Sequence, residues 1–354
     1  MKKKNKKKSS HKKTRHPGPT KKGFHMTIKS KNKDLRTASI AKKDEFYTQA
    51  ADIENELKHY KDQFRTKVVF CNCDDPKESN FVKYFSMKFK NLGLKKLIAT
   101  HYKGANLFTK DPPYKLEYAG NNNGNPMPDP NEFMTEMIGT GDFRSEECIE
   151  LLKEADMVIT NPPFSLFREY VAQLIKYDKK FLIIGNTNAL TYKEIFKLIK
   201  DNKIRTGYTN FNVGMFFVVP DDWEKFHHID ANGKKIARVS TSCWFTNLEV
   251  EKHNEDITLY KKYNPREYPR YDHYDAIEVS KVADIPMDYP NAMGVPVTFI
   301  DKYNPKQFDL LDGIGRYSML NGPTDETRGT YLTKVCGKPK YARIIIKNKK
   351  VVKE

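Results

Sequence analysis

The chain has 354 residues and a formal net charge of +18, from 63 Lys+Arg against 45 Asp+Glu. The excess is local: residues 1–33 hold 14 Lys/Arg and no acid, and from Asp34 onward 49 bases face 45 acids, a net of only +4. With 38% hydrophobic residues and only short apolar runs such as Met215–Val219 and Ile344–Ile346, the composition supports a sizeable core and excludes a bilayer-spanning helix, and the basic N-terminus lacks the apolar stretch of a secretory signal.

Residues 1–33 are expected to form a disordered basic region of their own, because a like-charged block has too little apolar surface to fold. Three readings stand for it: an arm that tethers a polyanion, a solubilising extension, or a stretch upstream of a natural start at Met26, which would leave a net charge near +7. Beyond it, Asp44–Phe64 places Ile53, Leu57, Tyr60 and Phe64 at helical spacing. Apolar runs at Lys67–Cys71, Lys96–Thr100, Met157–Thr160 and Phe181–Gly185 read as buried strands. Helical segments at Asn80–Leu92, Ser145–Ala155, Leu166–Lys176 and Tyr192–Asp201 lie between or after them. Continuous apolar strands separated by helices predict a parallel sheet covered on both faces, in an α/β fold. Met215–Val219 and Ser240–Val250 read as later strands of the same sheet. Asn121–Pro130 is a loop, and the Tyr- and Pro-rich segment Tyr260–Pro305 reads as an irregular, aromatic-rich lobe. The five cysteines have no zinc spacing and suit free thiols in a reducing cytosol.

The sharpest chemical signal is Asn161-Pro162-Pro163-Phe164, directly after the strand ending at Thr160. In a doubly wound sheet ligands bind at the carboxyl ends of strands, which is where this tetrapeptide sits. Two prolines remove N–H donors and fix φ, so the corner presents carbonyl acceptors; the Asn161 amide oxygen adds another neutral acceptor and Phe164 a stacking face. Such a site suits a conjugated exocyclic amine. Acceptors on its two hydrogens favour pyramidalisation and free the nitrogen lone pair to attack a methyl sulfonium, and an aromatic ring holds the flipped base by stacking.

In this context the tetrapeptide resembles the S-adenosylmethionine-dependent amino-methyltransferases. Flanking segments resemble the EcoRI-type adenine-specific DNA methyltransferases: Lys43-Asp44-Glu45-Phe46-Tyr47-Thr48, Cys71-Asn72-Cys73-Asp74-Asp75-Pro76, Gly141-Asp142-Phe143-Arg144, Gly185-Asn186-Thr187-Asn188-Ala189, Trp244-Phe245-Thr246-Asn247-Leu248, Asp301-Lys302-Tyr303-Asn304-Pro305 and Lys340-Tyr341-Ala342-Arg343. The resemblance implies a Rossmann-like doubly wound methyltransferase sheet over 34–250. It also implies an irregular C-terminal lobe over 251–354 that recognises the target and contacts DNA. It implies that Asn161 and the Pro162 carbonyl accept from adenine N6, that Pro163 shapes the corner and that Phe164 stacks on the base. Phe46, Tyr47 and Thr48 would pack on the methionine side of S-adenosylmethionine, and Asn72, Asp74, Asp75 and Pro76 would form the loop beside it. Asp142 would take the cofactor adenine amine while Phe143 flanks the ring; the plainer alternative makes Asp142 a helix N-cap. No metal is implied.

The chain departs from the wider pattern in two places. The loop Asp74–Phe81 contains no glycine where backbone must approach the cofactor, and Thr100-His101-Tyr102 stands where an acid is expected after the second strand. His101 reads as a surface or loop histidine. The resulting expectation is a cytoplasmic, site-specific DNA adenine-N6 methyltransferase acting on double-stranded DNA, in a restriction-modification, phage or mobile-element setting. A cognate endonuclease would be a functional rather than physical partner. The competing expectations are transfer to guanine N2 in RNA or to a protein glutamine amide, and a DNA-binding protein that retains the fold without transfer.

Overall fold

A computed structural model describes residues 47–102, 112–120, 130–209, 211–221, 223–315, 318–320 and 332–352; the basic segment 1–33, Phe46 and residues 121–129 of the Asn-rich loop lie outside them. The described chain opens with strand β1 (Tyr47–Thr48), helix α1 (Ala50–Leu57) and a 3-10 turn over Lys58–Phe64. There follow β2 (Val68–Cys71), α2 (Asn80–Met87), α3 (Phe89–Leu92), β3 (Lys96–Thr100), β4 (Tyr114–Tyr118), β5 (Met134–Glu136), α4 (Glu146–Glu154) and β6 (Met157–Thr160). Next come α5 (Phe167–Lys176), β7 (Lys180–Asn186), α6 (Lys193–Lys200), β8 (Arg205–Thr206), β9 (Met215–Val218), β10 (His228–Ile229), β11 (Lys235–Val239) and β12 (Ser242–Thr246).

Eight strands form one mixed sheet in the order β5-β4-β3-β2-β6-β7-β12-β8. The inner four, β3, β2, β6 and β7, run parallel, whereas β4 on β3 and β12 on β7 are antiparallel. Alternate residues of the apolar strands serve opposite faces. Val68, Phe70, Ile98, Val158, Phe181 and Ile183 pack with Leu151 and Leu152 of α4, Val171 and Leu174 of α5, and Ile195 and Phe196 of α6. Val69, Leu97, Met157, Ile159, Leu182 and Ile184 pack with Ile53 and Leu57 of α1 and Phe81 and Phe85 of α2. Each such side chain, fully buried, contributes about 1.5–3 kcal/mol of transfer free energy, which is why these strands tolerate no polar face.

The path of the chain through this sheet sets the site. From β2 it crosses by α2 to β3 on one side, and it later returns to β6 on the other side of β2. The two crossovers diverge between β2 and β6, and a crevice opens there at the strand ends.

The C-terminal part contains β13 (Ile277–Glu278), β14 (Met293–Pro296), β15 (Phe308–Ile314), a small hairpin of β16 (Lys334–Val335) and β17 (Lys338–Pro339), and β18 (Arg343–Asn348). The lobe expected to be irregular is so over 254–276, but it feeds a four-stranded sheet ordered β13-β14-β18-β15. Met293, Val295, Phe308, Leu310, Ile344 and Ile346 of that sheet share one core with α6 and with Phe245 of β12.

One strand assignment is corrected. Met215–Val219 does not extend the main sheet: β9 lies in a separate antiparallel sheet ordered β1-β9-β11-β10, with Tyr47 opposite Val218 and Thr48 opposite Phe217. The chain leaves the main sheet through a bend with Asn212 at φ 60° and Gly214 at φ 81°. A Cβ at Gly214 would stand 2.7 Å from the Val239 carbonyl, so the turn admits only glycine. β4 and β5 carry no long apolar run, and periodicity alone does not reveal them.

Candidate active site

Two loops meet at the crevice, Asn72–Pro76 after β2 and Asn161–Phe164 after β6. The first begins with Asn72, buried, whose Oδ1 accepts from Thr100 Oγ1 at 3.0 Å. Cys73 then adopts φ 68°, the left-handed conformation in which a glycine was missed from the sequence. Asp74 points inward. Its Oδ1 accepts from Ser79 Oγ at 2.8 Å, and its Oδ2 accepts from the Thr160 hydroxyl and, at 3.4 Å, from the Asn161 backbone N–H. Ser79 also caps α2, accepting from Phe81 N–H at 3.1 Å. Asp74 thus ties the end of β6, the loop after β2 and the start of α2 together.

Burial pushes the Asp74 carboxyl up to about 7, against the opposing pull of its Thr160, Ser79 and Asn161 donors. Protonation suits the local geometry: the single Thr160 hydroxyl hydrogen faces both Asp74 and the Asn72 carbonyl, and a protonated Asp74 can donate to Thr160 while Thr160 donates to Asn72.

Asp75 has the opposite fate. Burial works to raise its carboxyl, but donors outweigh burial and hold it below the ordinary range: His101 Nδ1 at 3.2 Å from Oδ2, and Tyr114 OH at 2.6 Å from Oδ1. Asp142 is held low chiefly by Arg144, whose guanidinium grips it in a fork at 2.8 and 2.7 Å. That guanidinium also lies over the Phe143 ring, 5.1 Å from its centroid, and Phe143 is set edge-on to Tyr170 at 5.0 Å.

These groups line one open cleft with about 730 Å³ of empty space, part of it open to solvent, a size that accepts a nucleoside. It brings together seven of the residues expected from the sequence: Tyr47, Asp74, Asp75, Asp142, Phe143, Asn161 and Pro163. Thr48, Asn72 and Pro162 are buried behind the wall, and Phe164 is half-buried, edge-on to Phe217 at 6.5 Å. Pro76 lies in the loop outside the cleft lining, and Phe46 lies outside the described residues. Asp142 is not a helix N-cap; Ser145 caps α4, accepting from Cys148 N–H at 3.4 Å. Sequence reasoning missed His101, Tyr102 and Arg144 as lining residues. Their signal was position, since His101 and Tyr102 directly follow β3, beside β2. Among the described residues no cluster of His, Cys, Asp and Glu has metal-holding geometry, and no helix is long and apolar enough to cross a membrane.

Comparison with known proteins identifies the family. The family model described as adenine-specific methyltransferase EcoRI matches residues 34–349. The chain is 47% identical over 341 residues to the Type II methyltransferase M.EcoRI of Escherichia coli, covering 93% of this chain and all of that one. It is 39% identical to the Type II methyltransferase M.MgeORF184P of Mycoplasma genitalium and 37% identical to the Type II methyltransferase M.MpnI of Mycoplasma pneumoniae, covering 89% of this chain and 98% of the relative in both cases. No solved structure matches. The chain belongs to the EcoRI family of adenine-specific methyltransferases.

Proposed function

We propose that the chain methylates N6 of an adenine flipped out of a specific duplex DNA site, with S-adenosylmethionine as donor, in the setting of Type II restriction-modification. The observation that carries this is the Asn161-Pro162-Pro163-Phe164 corner, positioned at the crevice between β2 and β6 and sharing a cleft with Tyr47, Asp142 and Phe143. The cleft residues fit the cofactor. Phe143 offers a ring face and Asp142 an amine acceptor. Bound there, the cofactor supplies an electrophilic methyl on sulfur.

The protein's part is orientation and polarisation. The Asn161 amide oxygen, shielded from solvent, and the Pro162 carbonyl accept the two N6 hydrogens and raise electron density on nitrogen. The Pro163 carbonyl is committed to Leu166 N–H at 3.0 Å, which fixes the turn that sets these acceptors. Phe164, braced by Phe217, stacks on the base with about 1–3 kcal/mol. The acceptors are neutral, so they polarise the amine without adding a buried charge.

The sheet over 34–250 acts as a Rossmann-like catalytic unit, and 251–354 serves target recognition. Supporting this, a groove of mixed polar and apolar lining opens one strand along from the cleft, beyond β7, with Asn188, Asn212, Thr298 and Arg343 among apolar Phe211 and Val297. Asn side chains there suit bidentate contact with base edges. The β16–β17 hairpin exposes Lys338, Lys340 follows it, and its turn is pinned by Asp272, which accepts from Cys336 and Gly337 N–H at 2.8 and 2.7 Å. The basic segment 1–33 adds sequence-independent attraction for phosphate. The enzyme works in the cytoplasm, with its cognate endonuclease as a functional partner only. Expression in a methylation-deficient host, followed by modification-sensitive sequencing, should show N6-methyladenine at every copy of one motif, and Asn161→Ala should abolish it while cofactor affinity stays within a few-fold. Methylation by Asn161→Ala within a few-fold of the parent would refute the assignment.

A further inference from the structure

We infer that His101 holds the ribose of the cofactor, with its Nε2 accepting a hydrogen bond from a ribose hydroxyl. The inference deepens the proposed function and rests on its cofactor reading. In nucleotide-binding sheets of this kind, an acidic side chain at the end of the strand after the first crossover accepts the ribose hydroxyl. Here β3 ends in Thr100 and the next residue is His101, which lines the cleft.

The ring is built in rather than loose. It stacks on Tyr114 with 4.8 Å between centroids and the ring planes 22° apart. Its backbone N–H donates to the Tyr114 carbonyl at 2.9 Å. Its own carbonyl is packed so closely under Gly141 that a Cβ there would stand 2.1 Å away. Its Nδ1 lies 3.2 Å from Asp75 Oδ2. In the tautomer that carries its hydrogen on Nδ1, toward the Asp75 carboxylate, Nε2 is an acceptor. Among the described residues Nε2 has no partner.

The neighbouring acids are each held by other donors. Asp75 takes Tyr114 OH at 2.6 Å and Lys77 N–H at 2.9 Å on Oδ1 and His101 on Oδ2, and Asp142 is held by the Arg144 fork. At this end of the cleft the imidazole Nε2 offers an acceptor to a hydroxyl directly at the end of β3. The imidazole thus stands in the place of the missing acid, oriented by the carboxylate one loop away.

The test is a thermodynamic cycle read by calorimetry on the full chain, with S-adenosylhomocysteine and its 2′-deoxy and 3′-deoxy analogues as ligands. One deoxy analogue should bind the parent protein about tenfold more weakly than S-adenosylhomocysteine, the size of one hydrogen bond. In His101→Phe, which keeps the ring against Tyr114 but has no acceptor, S-adenosylhomocysteine should weaken about tenfold and the deoxy penalty should vanish. His101→Gln, whose amide oxygen can accept, should restore part of the penalty and provides the second variant if His101→Phe melts early. An undiminished deoxy penalty in both variants overturns the role of His101 while leaving the cofactor reading intact. Failure of the parent protein to bind S-adenosylhomocysteine overturns both.

Discussion

Replacing Asp74 with Asn tests the electrostatic logic of the crevice. The Asp74 carboxyl sits at about 7 in the fold, whereas an unfolded chain holds it at about 3.9. The folded state therefore keeps a proton that the unfolded state has already lost. This group's contribution to stability is complete below about pH 4, declines as pH rises, and is fully lost above about pH 7. The whole shift is worth about 4 kcal/mol, of which roughly 2.5 kcal/mol falls between pH 5 and pH 8. Asn is neutral at every pH, still accepts from Ser79 and can donate to Thr160, so it mimics the protonated acid. Urea unfolding of both proteins at pH 5, 6, 7 and 8 isolates the effect, because other titrating groups largely cancel in the difference. Asp74→Asn should gain on the parent by about 2.5 kcal/mol from pH 5 to pH 8. A flat difference would refute the raised carboxyl, and a parent protein that gains on the variant with pH would mean that Asp74 is stabilised as an anion.

Three further outcomes follow from the same geometry. Phe164→Ala should slow single-turnover transfer roughly 10- to 100-fold, the equivalent of about 1–3 kcal/mol of stacking, and should weaken duplex binding much less, because the ring meets the base only after flipping; equal losses in a gel-shift titration would contradict this. Arg343→Met should lower stability by about 3–5 kcal/mol in denaturant titrations, since it strands Glu278, 2% exposed and paired with Arg343 at 2.8 Å; a loss under 1 kcal/mol would show that Glu278 is not held by that pair. Removing residues 1–25 should flatten the salt dependence of nonspecific DNA affinity, because 11 Lys/Arg leave with them, and should keep the methylated motif, whereas an altered motif would place specificity in the basic segment.

Much of the sheet was legible because its inner strands must be apolar on both faces, as Val68–Cys71 and Met157–Thr160 are. The edges were not, because β4 alternates buried and half-exposed residues over only Tyr114–Tyr118. Met215–Val218 misled for the converse reason: its residues are apolar enough for the main sheet, but only the bend at Asn212–Gly214 decides which sheet they join. The tetrapeptide was legible because its chemistry is local in sequence. Cys73 and His101 were not, because their roles depend on a backbone conformation and on a carboxylate across the crevice. The absence of glycine after β2 suggested a different route for the backbone, and Cys73 at φ 68° is that route.

The same three-dimensional view resolves a conflict that composition poses. Asp74, Asp75 and Asp142 line the cleft that phosphate-rich DNA must approach. Two bare like charges about 5 Å apart at an effective dielectric of 20 repel by about 3 kcal/mol, so three free carboxylates would oppose both one another and the duplex. Each is instead offset by a different means: burial raises the Asp74 carboxyl to about 7 and favours its protonated form, donors from His101 and Tyr114 hold Asp75, and the Arg144 guanidinium pairs with Asp142. On the proposed function, the reacting amine then meets the neutral oxygens of Asn161 and Pro162. The large positive charge of the chain, concentrated in residues 1–33, is then free to act at long range without distorting the site. On the proposed function, attraction to DNA and polarisation of one amine fall to separate parts of the molecule, and ionic strength should therefore modulate the first while leaving the chemical step unchanged.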